Sequence, residues 1–491
     1  MNTKWTVVAL GAALMMTGCE TMKSHDKKVA GVQAATENGS IESAIAQLDA
    51  SATTPESKKE MLYNMERGEL LRINRQYAES TQSLLQADDV VKRWEEAAKT
   101  NPDRLLGTVG AGLISERLKT YEGQDYEKVM LTTRLALNRI AVGDWDNARV
   151  DIKRTHEREA VIAELRSKEV VKAEEEAKAN GVQSSGKELN GYPVESLNDP
   201  AVLQLKNGYQ NALSHYLSGF LYEVLNEPGL AAPGYRKAIE LKPNSPVLEE
   251  GLRGLDQRTS FTHRRKQRMT DVLFLVEAGS APARKPMAFT VPIPTNRGLV
   301  SASISYPVIT PSKTPLISQI QAGPTALVPE PVVDFNVMAR RALKDEMPGM
   351  VLRGATRAIA KGVVQNEAQK KLGLLGGLAT AAASIVTEQA DDRLWRMLPE
   401  RVYVVRAYLP PGEHRVMIEQ RDVGTVKIDG KYAVVPIRVY ANNALVGDVA
   451  AFGNLPALGA PVVAEAPAAA PAAASKPAKS GRPAKPVASA K

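Results

Sequence analysis

The sequence YQNALSHYLSGFLYEVLNEPGLAAPGYRKAIELKPNSP, residues 209–246, contains two segments of helical length on either side of Asn226-Glu227-Pro228. Its small, aromatic and proline residues follow in the order Gly219, Tyr222, Ala231, Tyr235, Ala238 and Pro243. Small side chains allow two antiparallel helices to cross closely, and larger ones fill the groove between them. A proline cannot continue the second helix. Residues 209–246 therefore predict a helical hairpin.

The same order of residues occurs in two earlier parts of the chain. The first copy contains Gly68, Leu71, Tyr77, Ser80, Leu84 and Ala87, and the second contains Ala136, Trp145, Ala148 and Ile152. Tyr77 and Trp145 are 68 positions apart, as are Ser80 and Ala148. This distance is twice the 34-residue period of the tetratricopeptide repeat, which the pattern resembles.

We therefore predict a mainly α fold in which tetratricopeptide-like helical repeats occupy residues 39–260. A degenerate repeat around Leu105, Leu118 and Tyr121 would fill the gap between the first two copies. An irregular helical bundle that uses small residues at its crossings is the alternative. Residues 156–178 are highly charged, with opposite charges at helical spacing, and this pattern predicts an exposed helix.

The N-terminus has the layout of a secretory signal peptide over residues 1–18. An apolar run follows a positive start, and Thr17 and Gly18 provide small residues before Cys19. A cysteine at this place resembles bacterial lipoprotein signals, although Met16 stands where that family more often has leucine. The resemblance implies acyl chains on Cys19, which hold a protein on a membrane. A signal peptide that merely contains a cysteine, or a cytosolic chain with an apolar start, are the alternatives.

The residues after the signal peptide predict where the anchored protein resides. Residues 19–38 are polar and contain several lysines, which predicts a tether between the acyl chains and the folded body. Glu20 stands where lipoproteins retained in the inner membrane have aspartate, so the resemblance implies an outer-membrane lipoprotein that faces the periplasm. Cys19 is the single cysteine of the chain. Its acylation leaves no thiol for a disulfide bond, a metal cluster or catalysis.

The length of 491 residues predicts two or three domains. Half of the formal net charge of +8 lies in residues 451–491, an Ala-, Pro- and Lys-rich segment whose single acid is Glu465. We predict that this tail is disordered and reaches peptidoglycan or a second partner. A mild positive excess on a secreted protein favours anionic envelope polymers or lipid over nucleic acid. A second basic run, Phe261–Arg268, matches phospholipid headgroups, an acidic partner, or simply an exposed helix end.

The pattern changes after the helical region. Residues 261–335 predict one buried strand, Val272–Val276, followed by a proline-rich linker region of edge strands and extended loops from 282 to 331. Residues 336–450 predict a smaller α+β module that begins with helical spacing and ends with an antiparallel β unit from 401 to 448. Within it, Leu372–Val386 is too short to cross a bilayer, so we expect a buried helix, with membrane insertion as the alternative.

One segment of the C-terminal module carries a wider resemblance. It contains Asp392-Arg393-Leu394-Trp395-Arg396-Met397-Leu398-Pro399 and the later turn Pro410-Pro411-Gly412-Glu413-His414. Together with the lipoprotein signal and the repeats, it resembles a group of largely uncharacterised tetratricopeptide-type lipoproteins of Gram-negative bacteria. The resemblance implies an architecture and an envelope setting, but no reaction, and it does not extend to the proline-rich region or the tail.

Motifs for cofactors and metals are incomplete in this chain. Residues 181–187 have the spacing of a phosphate-binding loop, but Glu188 replaces the Ser or Thr that holds the metal. His156-Glu157 begins like a zinc-protease helix, but Ala160 replaces the second histidine. We therefore expect no cofactor, no metal and no catalytic residue.

These patterns lead to one preferred hypothesis and two alternatives. The preferred one is a non-enzymatic adaptor of cell-envelope biogenesis, whose repeats bind a protein or peptide on their concave face while the acyl anchor holds it at a membrane. The first alternative is an envelope hydrolase that acts on peptidoglycan, with Asp391, Asp392 or His414 in a cleft of the C-terminal module. The second is a passive link between membrane and wall.

Overall fold

The computed structural model describes residues 24–102, 120–179, 192–295, 298–351, 354 and 390–455. Some of the predicted features lie outside these ranges. They are the signal peptide, the acylated Cys19, the degenerate repeat at Leu105 and Leu118, the phosphate-loop spacing at 181–187, the apolar segment Leu372–Val386 and the tail beyond residue 455.

Helices dominate the first half of the chain. They are α1 (His25–Glu37), α2 (Ile41–Ser51), α3 (Met61–Ile73), α4 (Tyr77–Thr100), α5 (Asp125–Ala141), α6 (Trp145–Ala179), α7 (Pro200–Gln204), α8 (Ala212–Val224), α9 (Pro228–Leu241), α10 (Pro246–Arg253), α11 (Leu255–Thr259) and α12 (Phe261–Lys266). A later helix, α13, covers residues 335–351. The side chains of Ser24, Asn211 and Ser260 accept backbone N–H bonds at the first turns of α1, α8 and α12 and so stabilise these starts.

Strands follow the helices. They are β1 (Thr270–Ala278), β2 (Lys285–Thr295), β3 (Gly298–Val308), β4 (Ile320–Ala322), β5 (Thr325–Leu327), β6 (Glu330–Asp334), β7 (Arg401–Leu409), β8 (Gly412–Ile418), β9 (Arg421–Ile428), β10 (Tyr432–Val439), β11 (Ala444–Val446) and β12 (Ala450–Phe452). The fold is therefore mixed, with helices first and a sheet-containing part after them, as predicted. All described residues belong to one compact unit.

The main sheet is organised around β1. Its strand order is β11-β10-β1-β7-β6, and β12 also pairs with β10. β1 runs parallel to β10 and antiparallel to β7. All nine residues of β1 are buried, as expected for a strand covered on both faces. The predicted strand at 272–276 is thus the centre of a sheet. The proline-rich linker region predicted after it contributes five strands, β2 to β6, and belongs to the folded body.

The two faces of β1 contact different layers. Leu273 and Leu275 face the helices and join the large core that these share with the main sheet. Val272, Phe274 and Val276 face a second core, formed with the small sheet of strand order β5-β4-β8-β9. Successive side chains of a strand point to opposite faces. A helical layer, the main sheet and the small sheet therefore follow one another, and the predicted repeat region and C-terminal module share one core.

The strands of residues 401–448 differ from the predicted antiparallel unit. β7 belongs to the main sheet, whereas β8 and β9 form a hairpin in the small sheet. The turn at Pro410-Pro411 therefore carries the chain from one sheet to the other and does not close a hairpin. β10 returns to the main sheet beside β1. Residues 450–452, at the predicted start of the tail, form β12.

Four helical hairpins share one type of connection. Three residues join α1 to α2, α3 to α4, α5 to α6 and α8 to α9. The middle residue of each has a positive φ, with values of 78° at Gly39, 61° at Arg75, 77° at Gly143 and 64° at Asn226. The next amide donates to the carbonyl oxygen five residues earlier, at 2.8–2.9 Å in each case. This is the Schellman end of a helix, and its recurrence shows that one local turn is used four times.

The first of these hairpins replaces most of the predicted tether over 19–38. Residues 25–37 form α1, in which Val29, Val32 and Thr36 are buried. Thr36 lies 3.8 Å from the sulfur of Met397, and the amide of His25 donates to Asp392 at 2.7 Å. The polar composition of residues 25–37 did not predict this helix, because the helix buries only a narrow stripe of side chains. α1 is therefore part of the folded body.

Two glycine substitutions test the helix crossing at α8 and α9. A Cβ atom at Gly219 would lie 2.7 Å from the ring of Tyr235, which is fully buried. We expect Gly219→Ala to lower the free energy of unfolding by about 1–3 kcal/mol, because the ring has no room to move. Nothing lies within 4 Å of a Cβ at Gly229, in the first turn of α9, so Gly229→Ala should raise it by up to about 1 kcal/mol. Urea denaturation measures the free energy of unfolding of both variants. Equal changes in the two would contradict the close crossing of α8 and α9.

Candidate functional site

The residues predicted for repeat packing are almost all interior. Nine of them are buried, and Pro243, after α9, is exposed. The buried ones are Gly68, Tyr77, Trp145, Ala148, Gly219, Tyr222, Ala231, Tyr235 and Ala238. A Cβ at Gly68 would lie 2.6 Å from Leu84, which shows how closely α3 and α4 cross. These residues form the helix crossings, and a partner cannot contact them in this fold.

Several aromatic residues of the helices contact the main sheet. The Tyr77 hydroxyl accepts a hydrogen bond from the amide of Asp448 at 3.2 Å. The ring of Trp145 lies edge-on to Phe452, with 5.3 Å between centroids. Phe220 meets Tyr432 in the same way at 5.9 Å. The helical face expected to bind a partner is therefore covered, at these positions, by strands of the same chain.

A buried ion cluster joins the helices to the main sheet near the end of β1. Its members are Glu69, Arg72, Arg134, Glu277 and Arg438, and each side chain is at least nine-tenths buried. Arg72 and Arg134 both donate to Glu277, one to each carboxylate oxygen. Arg134 also lies 3.2 Å from Glu69, and Arg72 lies 2.8 Å from it. The acid of β1 is thus bound by arginines of two helices.

The arginines of this cluster determine the protonation state of the Glu277 carboxylate. Burial alone would raise the pKa of Glu277, but the charges of Arg134, Arg72 and Arg438 outweigh burial and lower the pKa to about 2. Glu277 is therefore ionised at neutral pH. A buried carboxylate with such partners stabilises the fold only while all of them remain in place, so the cluster is structural.

The segment with the family resemblance is held by carboxylates. The amide of Trp395 donates to Glu127 at 2.7 Å, and the amides of Arg396 and Met397 donate to Glu66 at 2.7 and 2.8 Å. Both acids are buried, Glu66 on α3 and Glu127 on α5. Three successive backbone amides are thereby satisfied without secondary structure. This explains why an irregular segment lies in the interior.

The candidate acids of the hydrolase hypothesis also have structural contacts. Asp391 pairs with Arg393 at 2.8 Å, and Asp392 accepts the amide of His25. His414 lies on β8 in the small sheet, and its Nε2 is 2.8 Å from the carbonyl oxygen of Pro410. Asp392 contacts α1, whereas the histidine lies in the small sheet. No contact described here brings them together as a catalytic pair.

A cavity of about 760 Å³ lies at the Ala278 end of β1. It is bounded by α1, by the chain that follows β1, by the β8–β9 turn and by the end of β10. Gln33, Glu37, Ser280, Ile317, Val423 and Tyr440 are among its lining residues. Its volume and mainly apolar walls are typical of ligand sites. This cavity is the candidate functional site of the described residues.

Most charged groups around the cavity are already paired. Arg396 lies 3.0 Å from Asp26 and 3.1 Å from Gln33. Glu400 pairs with Arg401 at 3.1 Å, and Arg421 donates to two carbonyl oxygens at the end of β10. Glu37 differs, because its one contact in the described chain is the Ser280 hydroxyl at 3.4 Å. Its carboxylate is available to a cationic group of a ligand.

Sequence reasoning did not find this cavity. Its lining residues come from segments between residues 33 and 444 and follow no motif. The sequence places Glu37 in the predicted tether and Ser280 at the start of the predicted linker region, so it indicates neither as a site residue. No local spacing could have identified them, because the site exists only once α1 closes against the ends of β1 and β10.

Two histidines stack between α6 and α8, the half-buried His156 and the buried His215. The rings of His156 and His215 are 4.6 Å apart with an angle of 21°. His215 Nε2 lies 3.1 Å from Glu159, and burial together with the neighbouring His215 lowers the pKa of His156. His215 is therefore a packed interior residue. No group of three or more potential metal ligands occurs among the described residues.

Comparison of the chain with protein-family models, with curated proteins and with solved structures finds no match. Within the described ranges, no helix has both the length and the apolar character needed to cross a bilayer.

Removal of the Glu277 charge should destabilise the protein strongly. We expect Glu277→Gln to lower the free energy of unfolding by about 3–5 kcal/mol, because Arg72 and Arg134 then lose their common partner in the interior. The matched control is Glu240→Gln, whose carboxylate pairs with Lys206 and Lys237 at the surface and should leave the denaturation midpoint almost unchanged. A similar loss of stability in both variants would show that the buried cluster stabilises the protein no more than a surface ion pair does.

Glu127 should make stability depend on pH. Burial raises the pKa of Glu127 from 4.5 to about 7, although the three hydrogen bonds that the carboxylate accepts lower it. The folded state therefore binds more protons than the unfolded chain between pH 4.5 and 7, and stability declines as pH rises through this window. The difference in unfolding free energy between the wild type and Glu127→Gln should fall by on the order of 3 kcal/mol from pH 4.5 to 7. A difference independent of pH would disprove the shift.

Proposed function

We propose that this protein is a lipid-anchored, non-catalytic adaptor of the bacterial envelope that binds a protein or peptide partner in the cavity at the end of β1. Acyl chains on Cys19 hold it at the outer membrane, and the body faces the periplasm. The observation that carries this proposal is that α1, which begins six residues after Cys19, forms one wall of the cavity. Anchor and binding site would then be adjacent, and a partner would be held close to the membrane.

The chemistry of the cavity favours binding over catalysis. Its walls are mainly Ala, Pro, Ile and Val, and neither histidine nor cysteine is among its lining residues. The Ser280 hydroxyl donates to the Glu37 carboxylate at 3.4 Å and has no histidine partner among the described residues of the cavity, so the usual serine–histidine arrangement of a nucleophile is not formed there. An apolar pocket in which the Glu37 carboxylate has no ionic partner among the described residues suits a peptide segment that carries a lysine, an arginine or a free amine beside an apolar side chain.

The helical hairpins support a repeat origin for the scaffold. Their identical connections and the 68-residue spacing between Arg75 and Gly143 agree with a degenerate tetratricopeptide array. In this proposal the array has become a frame that positions the sheet, since its inner residues contact strands. Partner binding is thus assigned to the cavity and not to a concave helical face.

Photo-crosslinking in intact cells tests the proposed function. A photoreactive residue at Gln420, which is exposed and lines the cavity, should give an adduct of discrete mass with one envelope protein. Ala283→Trp would narrow the cavity, and Glu37→Gln would remove its unpaired carboxylate. We expect the first change to abolish the adduct and the second to reduce its yield about tenfold, since a charged hydrogen bond is lost.

The matched control is a photoreactive residue at Val150, which is 53% exposed on α6. It should give no discrete adduct. Equal adducts from both positions, or an adduct from position 420 that Ala283→Trp leaves unchanged, would refute the assignment of the cavity. Thermal melts of each variant confirm that the fold is intact.

A further inference from the structure

An exposed cluster of basic and apolar side chains lies at the opposite end of β1 from the cavity. We call it the basic patch, and its residues are Phe261, Arg264, Arg265, Lys266, Arg268 and Met269. Phe261 is 78% exposed and Met269 is 41% exposed. Phe261 and Arg265 are four positions apart on α12 and share a face. A large aromatic ring therefore stands in solvent among cations.

The cations of the basic patch lack ionic partners. Elsewhere in the described chain, arginines such as Arg158 and Arg406 pair with carboxylates at 2.9 and 2.7 Å. Within the described ranges, no carboxylate lies within 4.0 Å of the four basic side chains of the patch. Arg264 donates to the Asn226 side chain and Arg268 donates to carbonyl oxygens. Their positive charge is therefore uncompensated and faces solvent.

The patch is held firmly against the main sheet. The buried side chain of Gln267 donates to the carbonyl oxygens of Met269 and Lys431, at 3.0 and 2.8 Å. The guanidinium of Arg264 lies 6.0 Å from the centre of the Tyr432 ring. These contacts bring Lys431 beside the patch and add a further cation. The backbone that carries these charges is therefore held against the main sheet, and it need not be ordered on binding.

We propose that the basic patch binds the phosphate headgroups of an anionic lipid bilayer, with Phe261 inserted at the interface. The proposal depends on both the cations and the aromatic ring. Unpaired lysines and arginines are attracted to anionic headgroups, and an aromatic ring next to them gains an apolar environment just below the phosphates. An acidic polypeptide would neutralise the cations but offers no general reason for the exposed ring.

The position of the patch also orients the molecule, a consequence that rests on the proposed lipid anchor. α1 contacts Ser280, just beyond the Ala278 end of β1, and the patch precedes the Thr270 end. Nine strand residues separate the two, a distance on the order of 25 Å. Anchor and patch can contact one membrane when β1 lies roughly along its surface.

A fluorescent label tests the proposal in the full-length anchored protein. Cys19 is the single cysteine, and acylation blocks its thiol, so Phe261→Cys provides one site for an environment-sensitive dye. We expect blue-shifted emission in vesicles that contain phosphatidylglycerol and none in pure phosphatidylcholine vesicles. Neutralising Arg264, Arg265 and Lys266 to glutamine should weaken the response by about fivefold per charge. The matched control, Val328→Cys, carries the dye at a position that is 83% exposed and adjacent to no basic run, and should not respond.

The outcomes separate the patch from the anchor. An equal shift in neutral vesicles, or no shift in either, overturns the proposal. A shift with polyglutamate but not with anionic vesicles assigns the patch to an acidic polypeptide and also overturns it. Incorporation of two dye molecules per chain, together with recovery of the protein in the soluble fraction, would show that Cys19 is not acylated. The proposed function would then fail, while vesicles added to the soluble chain would still test the patch.

Discussion

The charge pattern of β1 constrains the rest of the structure. On its helix-facing side, β1 presents Asp271, Leu273, Leu275 and Glu277, so two acids flank two apolar residues. A buried carboxylate that loses its ionic partners strongly destabilises a fold. Arg406 binds Asp271, and Arg72 and Arg134 bind Glu277. A register shift of one residue would turn both acids toward the apolar small sheet. The helices and β1 can therefore pack in one register only.

Carboxylates perform a second structural task at the irregular segment that precedes β7. Glu66 and Glu127 bind the backbone amides of residues 395–397, which have no strand partner. The same segment contacts α1, which in turn forms a wall of the cavity. The shape of the candidate site thus depends on buried polar groups far from it, and the acids that seemed suited to catalysis are occupied by structural contacts.

Sequence reasoning succeeded where the signal was local. The spacing of Gly219 and Tyr235 predicted a close helix crossing, and the run of β-branched and aromatic residues predicted β1, because both depend on neighbours along the chain. For residues 285–295 the prolines predicted edge strands and extended loops, and the structure has one strand over this whole range. There Pro286, Pro292 and Pro294 lie in β2, whose only strand partner in the described chain is β3, and an edge strand tolerates residues that donate no hydrogen bond.

The sequence alone determined the helical hairpins and the buried central strand, since helix periodicity, turn residues and strand composition act over a few positions. The tertiary structure decided which faces became interior, where the ion clusters formed and where the cavity opened. Arg72 and Glu277 are 205 positions apart, and Glu37 meets Ser280 across 243. Contacts of this range depend on how the layers pack together, and no local pattern encodes them.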